Sequence, residues 1–267
     1  MKYKDFKNKL QTRIFGVDLN LEILTTVIEN PDRYIGLFRV TNAKTKLIQN
    51  ITQSCEIKFG DFLEDVLTEY IAEMGYENLS KQIGTDEENN ILSADQVFQK
   101  NGVVYLIEQK VRDDHDSTKK RGQYSNFVKK IKCLKRQFPK RHIVAAMWFS
   151  DSSLKKNRKY YTEQINNNTD NILVQNVYYG EELFTHLFQR IDIWEELISH
   201  LKQHKSERSN EILNVPDFDT STEIRVALLQ LKQEQPCLIK KLLSNQEKFL
   251  ELRKELFPTG KNLEGLQ

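Results

Sequence analysis

Asp95, Glu108 and Lys110 could do chemistry together if the fold brings them to one place. Two carboxylates side by side repel unless a proton or a divalent cation sits between them. Hard oxygen donors suit Mg²⁺, which takes one or two carboxylates and keeps several waters for a substrate phosphate. A lysine beside such an ion can orient or help deprotonate the attacking water, or offset charge developing on the phosphate. The plainer alternative is an edge hairpin whose polar side chains face water.

The stretch that must position them is Ile91 to Lys110, ILSADQVFQKNGVVYLIEQK. Asn101-Gly102 lies between two apolar runs, the strongest short-range signature of a two-residue hairpin loop, because both loop residues need positive φ. With that loop, Lys100 pairs with Val103 and Asp95 falls directly opposite Glu108. Directly opposed residues share a sheet face, with Cβ atoms roughly 5 Å apart. Lys110 shares the face because strand side chains alternate with period two, and Val104 and Leu106 lie behind it. VVYLI reads as a strand covered on both faces. Three charged groups there would be costly unless used.

Asp95, a gap of twelve residues and Glu108-Gln109-Lys110 resemble the signature of the PD-(D/E)xK nuclease superfamily, which includes most type II restriction endonucleases. Ala94 stands where the signature's name has proline. The resemblance implies an α/β fold with a restriction-endonuclease-like core, αβββαβ, whose mixed sheet is flanked by helices. It implies Mg²⁺ held by Asp95 and Glu108, with Lys110 assisting the water and Gln109 giving support from the other side of the strand. A type II restriction endonuclease would cut double-stranded DNA by phosphodiester hydrolysis, as a homodimer, alongside a cognate DNA methyltransferase. Two rivals stay open: a repair or junction-resolving nuclease of the same fold, and a DNA-binding protein with a vestigial site.

The flanking chain is read for what holds this hairpin. Residues 1–54 read as a helical N-terminal segment, with short helices near Phe6 to Ile14, Leu19 to Leu24, Tyr34 to Arg39 and Thr41 to Ser54. Phe59, Phe62, Leu63, Val66, Leu67, Tyr70, Ile71 and Met74 form the stripe of an amphipathic helix ended by Gly75. Glu64 lies at the edge of that stripe. Restriction enzymes of the superfamily often carry a glutamate on the helix before the first core strand. The resemblance therefore makes Glu64 a candidate ligand of a second metal ion or support for the first, and the alternative is a surface salt bridge.

After Glu108 the chain turns basic: Lys110 to Arg141 holds twelve Lys or Arg against three Asp, a net of +9, although the whole chain carries only +2. Such a stretch suits a polyanion met at one face. Arg112 to Gln123 reads as a polar loop beside the scissile phosphate, and Arg112, Asp114, His115, Ser117, Lys119, Lys120, Arg121 and Gln123 are its candidate DNA contacts. Arginine can pair with guanine edges and aspartate can accept from cytosine, while lysines hold phosphates. An ordinary exposed loop is the alternative. A helix from Gln123 to Gln137 is expected to face Lys129, Lys130, Lys132, Lys135 and Arg136 outward. His142 to Ser150 reads as a central strand and Ile172 to Tyr178 as another.

The expected domains are 1–54, a nuclease core at 55–206, and a linker with a C-terminal helical hairpin at 207–267. Ser221 or Thr222 could cap the first of those helices, and Pro236 opens a second running to Phe257. No run approaches the roughly 18 apolar residues of a membrane helix. Cys55, Cys133 and Cys237 lack disulfide or zinc spacing, so a cytoplasmic protein is expected.

Overall fold

Asn101 and Gly102 both take positive φ, 51° and 81°, and between them turn strand Gln96–Lys100 back along strand Val103–Lys110. Lys100 faces Val103 and Gln96 faces Ile107, the register that a two-residue loop demands. In the computed structural model, residues 1–15, 19–86, 88–111, 117–167, 173–207 and 216–266 are described.

In chain order the helices are α1 (Tyr3–Phe15), α2 (Leu19–Glu29), α3 (Asp32–Ile35), α4 (Ala43–Glu73), α5 (Ser117–Gln137), α6 (Arg158–Asn166), α7 (Ile191–Glu207), α8 (Thr222–Glu234), α9 (Pro236–Leu242) and α10 (Glu247–Leu256). The strands are β1 (Glu77–Asn78), β2 (Gln82–Thr85), β3 (Ile91–Ser93), β4 (Gln96–Lys100), β5 (Val103–Lys110), β6 (His142–Phe149) and β7 (Leu173–Tyr179). The described chain divides into two compact units, one of residues 1–6 and 60–205, the other of 7–59 and 206–267. The segments read separately as 1–54 and 207–267 thus fold largely together.

The first unit is an α/β layer structure. Its mixed five-stranded sheet has the order β1-β4-β5-β6-β7, antiparallel through β5 and parallel from β5 to β7. Parallel neighbours need crossover connections, and α5 and α6 supply them. On one sheet face Val104, Leu106, Ile143, Ala145 and Met147 pack with Phe127, Ile131 and Leu134 of α5. On the other, Gln109 Nε2 donates to Gly60 O (3.1 Å) and Gln96 Nε2 to Glu64 O (2.7 Å), tying the sheet to α4. A mixed sheet between helices is compatible with a restriction-endonuclease-like core.

Several boundaries differ from the sequence expectation. Ile91–Ser93 does not extend the hairpin but pairs with β2 in a separate two-stranded ribbon. The helices expected at 41–54 and 59–74 are one element, α4, because no proline or glycine pair interrupts them. The helix expected from Gln123 begins at Ser117, so Lys119, Lys120, Arg121 and Gln123 lie on α5 rather than in a loop. Lysine and arginine are good helix formers, and Gly122 inside the helix costs only about 1 kcal/mol. The last expected helix is two, α9 and α10, and Arg253 Nη1 donates to the carbonyls of Leu242 and Ser244 left open at the break.

The second unit is all helix. Leu24, Val27, Ile28, Tyr34 and Leu47 share one core with Ile224, Leu228, Leu231, Leu242 and Leu252. Ser221 Oγ caps α8 by accepting from Ile224 N (3.3 Å). Buried Asp219 accepts from Thr259 N (2.8 Å) and Gly260 N (2.9 Å). Burial pushes its pKa up, but these amide bonds outweigh it and hold the carboxyl below the ordinary range. No helix among the described residues is long and apolar enough to cross a membrane.

Candidate active site

The β4–β5 ladder stops at Gln96–Ile107, one pair short of the register that would set Asp95 in strand opposite Glu108. Ala94 N instead donates to Lys81 O, and the chain bends at Asp95. The Asp95 side chain continues the pairing in place of its backbone, accepting from Gln109 N at 2.6 Å. That bond fixes the carboxylate beside the last residues of β5.

Glu108 is 4% exposed and Lys110 lies two residues on, along the same strand face. Lys110 Nζ is 3.2 Å from Glu108 Oε2 and 3.7 Å from Asp95 Oδ2, so one ammonium stands between two carboxylates. Burial pulls the Lys110 pKa down, but the charges of Glu108 and Asp95 outweigh it and leave it above the ordinary lysine value. Lys110 is therefore an ammonium at neutral pH.

A second cation completes the set. Lys130 of α5 reaches Glu108 Oε1 at 2.5 Å, and at 7% exposed it is the reverse of the outward residue expected. Its position carries the signal that charge obscured. Lys130 is three residues after Phe127 and four before Leu134, both buried, and so lies on the inward face of α5. Glu108 is thus gripped through both oxygens, and the four side chains balance two positive charges against two negative.

Glu64 pairs with Lys81 and stays off the Lys110 cluster. Burial raises its pKa, Lys81 opposes that, and the Asp95 charge adds to the rise, which marks Asp95 as an electrostatic neighbour. Gln109, expected as a support, is buried and bonded to Gly60 O, with its Oε1 unpartnered.

The candidate DNA contacts fare unevenly. Arg112, Asp114 and His115 lie outside the described residues, as does the side chain of Ser117. Lys119 and Arg121 are exposed on the first turns of α5. Lys120 Nζ sits 4.8 Å above the Tyr160 ring, and Gln123 Oε1 accepts from Tyr161 OH (2.8 Å), so both make internal contacts.

Among the described residues no group of three or more His, Cys, Asp or Glu is placed to hold a metal ion. Two hard carboxylates with a cation already between them nevertheless fit an ion such as Mg²⁺ that draws its other ligands from water and phosphate.

A mixed sheet between helices is compatible with a restriction-endonuclease-like protein, and Asp95, Glu108, Lys110 and Lys130 gather at the end of one of its inner strands. A family model described as "Type II restriction endonuclease, HinfI" matches residues 2–86 and 75–205, most of the chain. The chain belongs to the HinfI family of type II restriction endonucleases, which implies nuclease activity on DNA. No curated protein matches it.

Proposed function

We propose that this protein is a type II restriction endonuclease that makes sequence-specific double-strand breaks by Mg²⁺-dependent phosphodiester hydrolysis. The observation that carries the reading is Lys110 Nζ lying within 3.7 Å of both Asp95 and Glu108 at the end of β5. We read α4, β1, β4, β5, α5 and β6 as the αβββαβ core, with β7 and the β2–β3 ribbon added to it. The nuclease domain would be the unit of residues 60–205, close to the expected 55–206.

Asp95 and Glu108 would hold the ion. When bound, Mg²⁺ supplies Lewis-acid polarisation of the phosphate and a water of lowered pKa. Lys110, an ammonium, donates to a phosphate oxygen and offsets the charge developing there. Lys130 keeps Glu108 aimed while the ion and substrate exchange. Glu64 stands behind Asp95 as a supporting carboxylate. The Arg112–Gln123 segment, with Arg112, Asp114, His115, Ser117, Lys119 and Arg121, would contact DNA as it leaves the catalytic strand. Homodimerisation would give one site per strand, and a cognate methyltransferase would protect the host's own sites.

Incubating the purified chain with unmethylated phage DNA tests the reading. Discrete fragments with Mg²⁺, none with a chelator, and binding without cleavage in Ca²⁺ are expected. A smear of fragments without fixed ends would remove sequence specificity, and fragments in chelator would remove the metal.

A further inference from the structure

Leu37, Phe38 and Val40 are 92%, 98% and 103% exposed, in a unit that buries apolar residues on nearly every helix. Three large apolar side chains left in water within four residues mark a contact made with something else.

The backbone presents them deliberately. Arg39 N donates to Gly36 O (2.9 Å), so Leu37 and Phe38 are the two central residues of a hydrogen-bonded β-turn. A Cβ at Gly36 would stand 2.7 Å from Asp32 O, so glycine alone lets the turn leave α3 this closely. Both ends are pinned within the helical unit. Buried Tyr34 accepts from Asn50 Nδ2 (2.8 Å) on one side. On the other, Asn42 Oδ1 caps α4 by accepting from Thr45 N (2.9 Å), and buried Ala43 donates its N–H to Glu255 Oε2 (2.6 Å). A turn tip held this way is a rigid protrusion.

Charge identifies the occupant. Residues 31–46 around the tip contain Arg33, Arg39, Lys44 and Lys46 against the single acid Asp32, a local net of +3 in a chain whose whole charge is only +2. Arg33, Arg39 and Lys44 are exposed. An apolar tip flanked by these cations matches a base step, whose faces are apolar and whose two backbones carry phosphates. A second copy fits poorly. A two-fold contact would set this cationic patch against itself, and three side chains fall far short of the roughly 800 Å² per partner that stable interfaces bury.

We infer that Leu37 and Phe38 form a wedge that enters a base step of duplex DNA and unstacks it, while Arg33, Arg39 and Lys44 hold the flanking phosphates. The inference rests on the reading of the chain as a DNA endonuclease. Opening a base step unwinds the duplex, which is measurable without knowing the recognition sequence. The full chain, in Ca²⁺, is mixed with relaxed closed-circular plasmid and a metal-independent topoisomerase, and the topoisomer ladder is resolved after deproteinisation.

The wild-type protein should shift the ladder in proportion to the amount bound. The Leu37→Ser/Phe38→Ser variant should still retard plasmid in a gel yet lose the shift, and Phe38→Trp should retain it. A full shift from the double-serine variant, or binding without a shift by the wild type, overturns the wedge. So does loss of a dimer by the double-serine variant in ultracentrifugation, which would give the tip to a second copy. A wild-type chain that neither retards plasmid in Ca²⁺ nor cuts it in Mg²⁺ sinks the endonuclease reading instead.

Discussion

Glu108 and Asp219 are both carboxylates buried to within a few per cent, one in each unit, and their surroundings differ in kind. Asp219 is held by the N–H groups of Thr259 and Gly260, which belong to the backbone and cannot leave. Glu108 is held by the ammoniums of Lys110 and Lys130, on flexible stems anchored elsewhere. A buried charge must be compensated in either case. Backbone amides fix a loop once and for all, whereas an ammonium can give its place to another cation. The difference separates a carboxylate that serves the fold from one available for chemistry.

The largest expected effect lies in activity. Glu108→Gln, Asp95→Asn and Lys110→Gln should each lower single-turnover cleavage on the order of 10³-fold or more, whereas folded Asp219→Asn should cut at the wild-type rate. Equal activity of Glu108→Gln and wild type would erase the contrast between the two carboxylates.

Stability comes next. Lys130→Met removes one of two cations from a buried glutamate. It should cost about 3 kcal/mol in urea unfolding, the low end for a broken buried pair because Lys110 remains on the other oxygen. The Glu108→Gln/Lys130→Met double variant should recover most of that loss, since it removes both charges. Unchanged stability of Lys130→Met would mean that the pair contributes nothing.

Asp219→Asn should cost about 1–3 kcal/mol, since it weakens charge-assisted bonds to two amides. The Asp219 pKa is lower in the folded chain than in the unfolded one. Its contribution is therefore present above the unfolded value, about 3.9, and is lost as pH falls through the folded value. The stability gap between wild type and variant should close below about pH 4. A gap that does not narrow at all as pH falls below the unfolded value of about 3.9 would assign the effect to packing.

The smallest effect divides neighbouring lysines of α5. Exposed Lys132→Gln should reduce the salt slope of log K for DNA by about 0.9 and leave stability alone. If Lys132→Gln leaves the slope unchanged, this part of the helix faces solvent even in the complex.

The hairpin was legible because Asn-Gly constrains φ locally, and with it came the meeting of Asp95, Glu108 and Lys110. The inner strand His142–Phe149 announced itself by the unbroken apolar run from Ile143 to Phe149. Lys130 was missed because its charge argued outward while its helical phase argued inward, and only the distant Glu108 decides between them. Ile91–Ser93 was misplaced because the Asn101-Gly102 signal favoured extending the longer hairpin, whereas the strand turns back across residues 86–90 and pairs with β2. The true start of α5 was hidden by Gly122, which a helix tolerates when its neighbours are strong formers.

The helical unit is built from 7–59 and 206–267, with the whole of 60–205 between them. A ribosome releases these segments in order, so the α/β unit is complete before the second half of the helical core exists. During that interval Leu24, Val27, Ile28 and Leu47 have none of their partners Ile224, Leu228, Leu231 and Leu242 to cover them. The nascent chain thus carries an open apolar face through most of its synthesis, a surface that chaperones bind and that favours aggregation when they are scarce. The helical unit is the last part able to close, and a message truncated near residue 205 yields a chain with that face permanently bare.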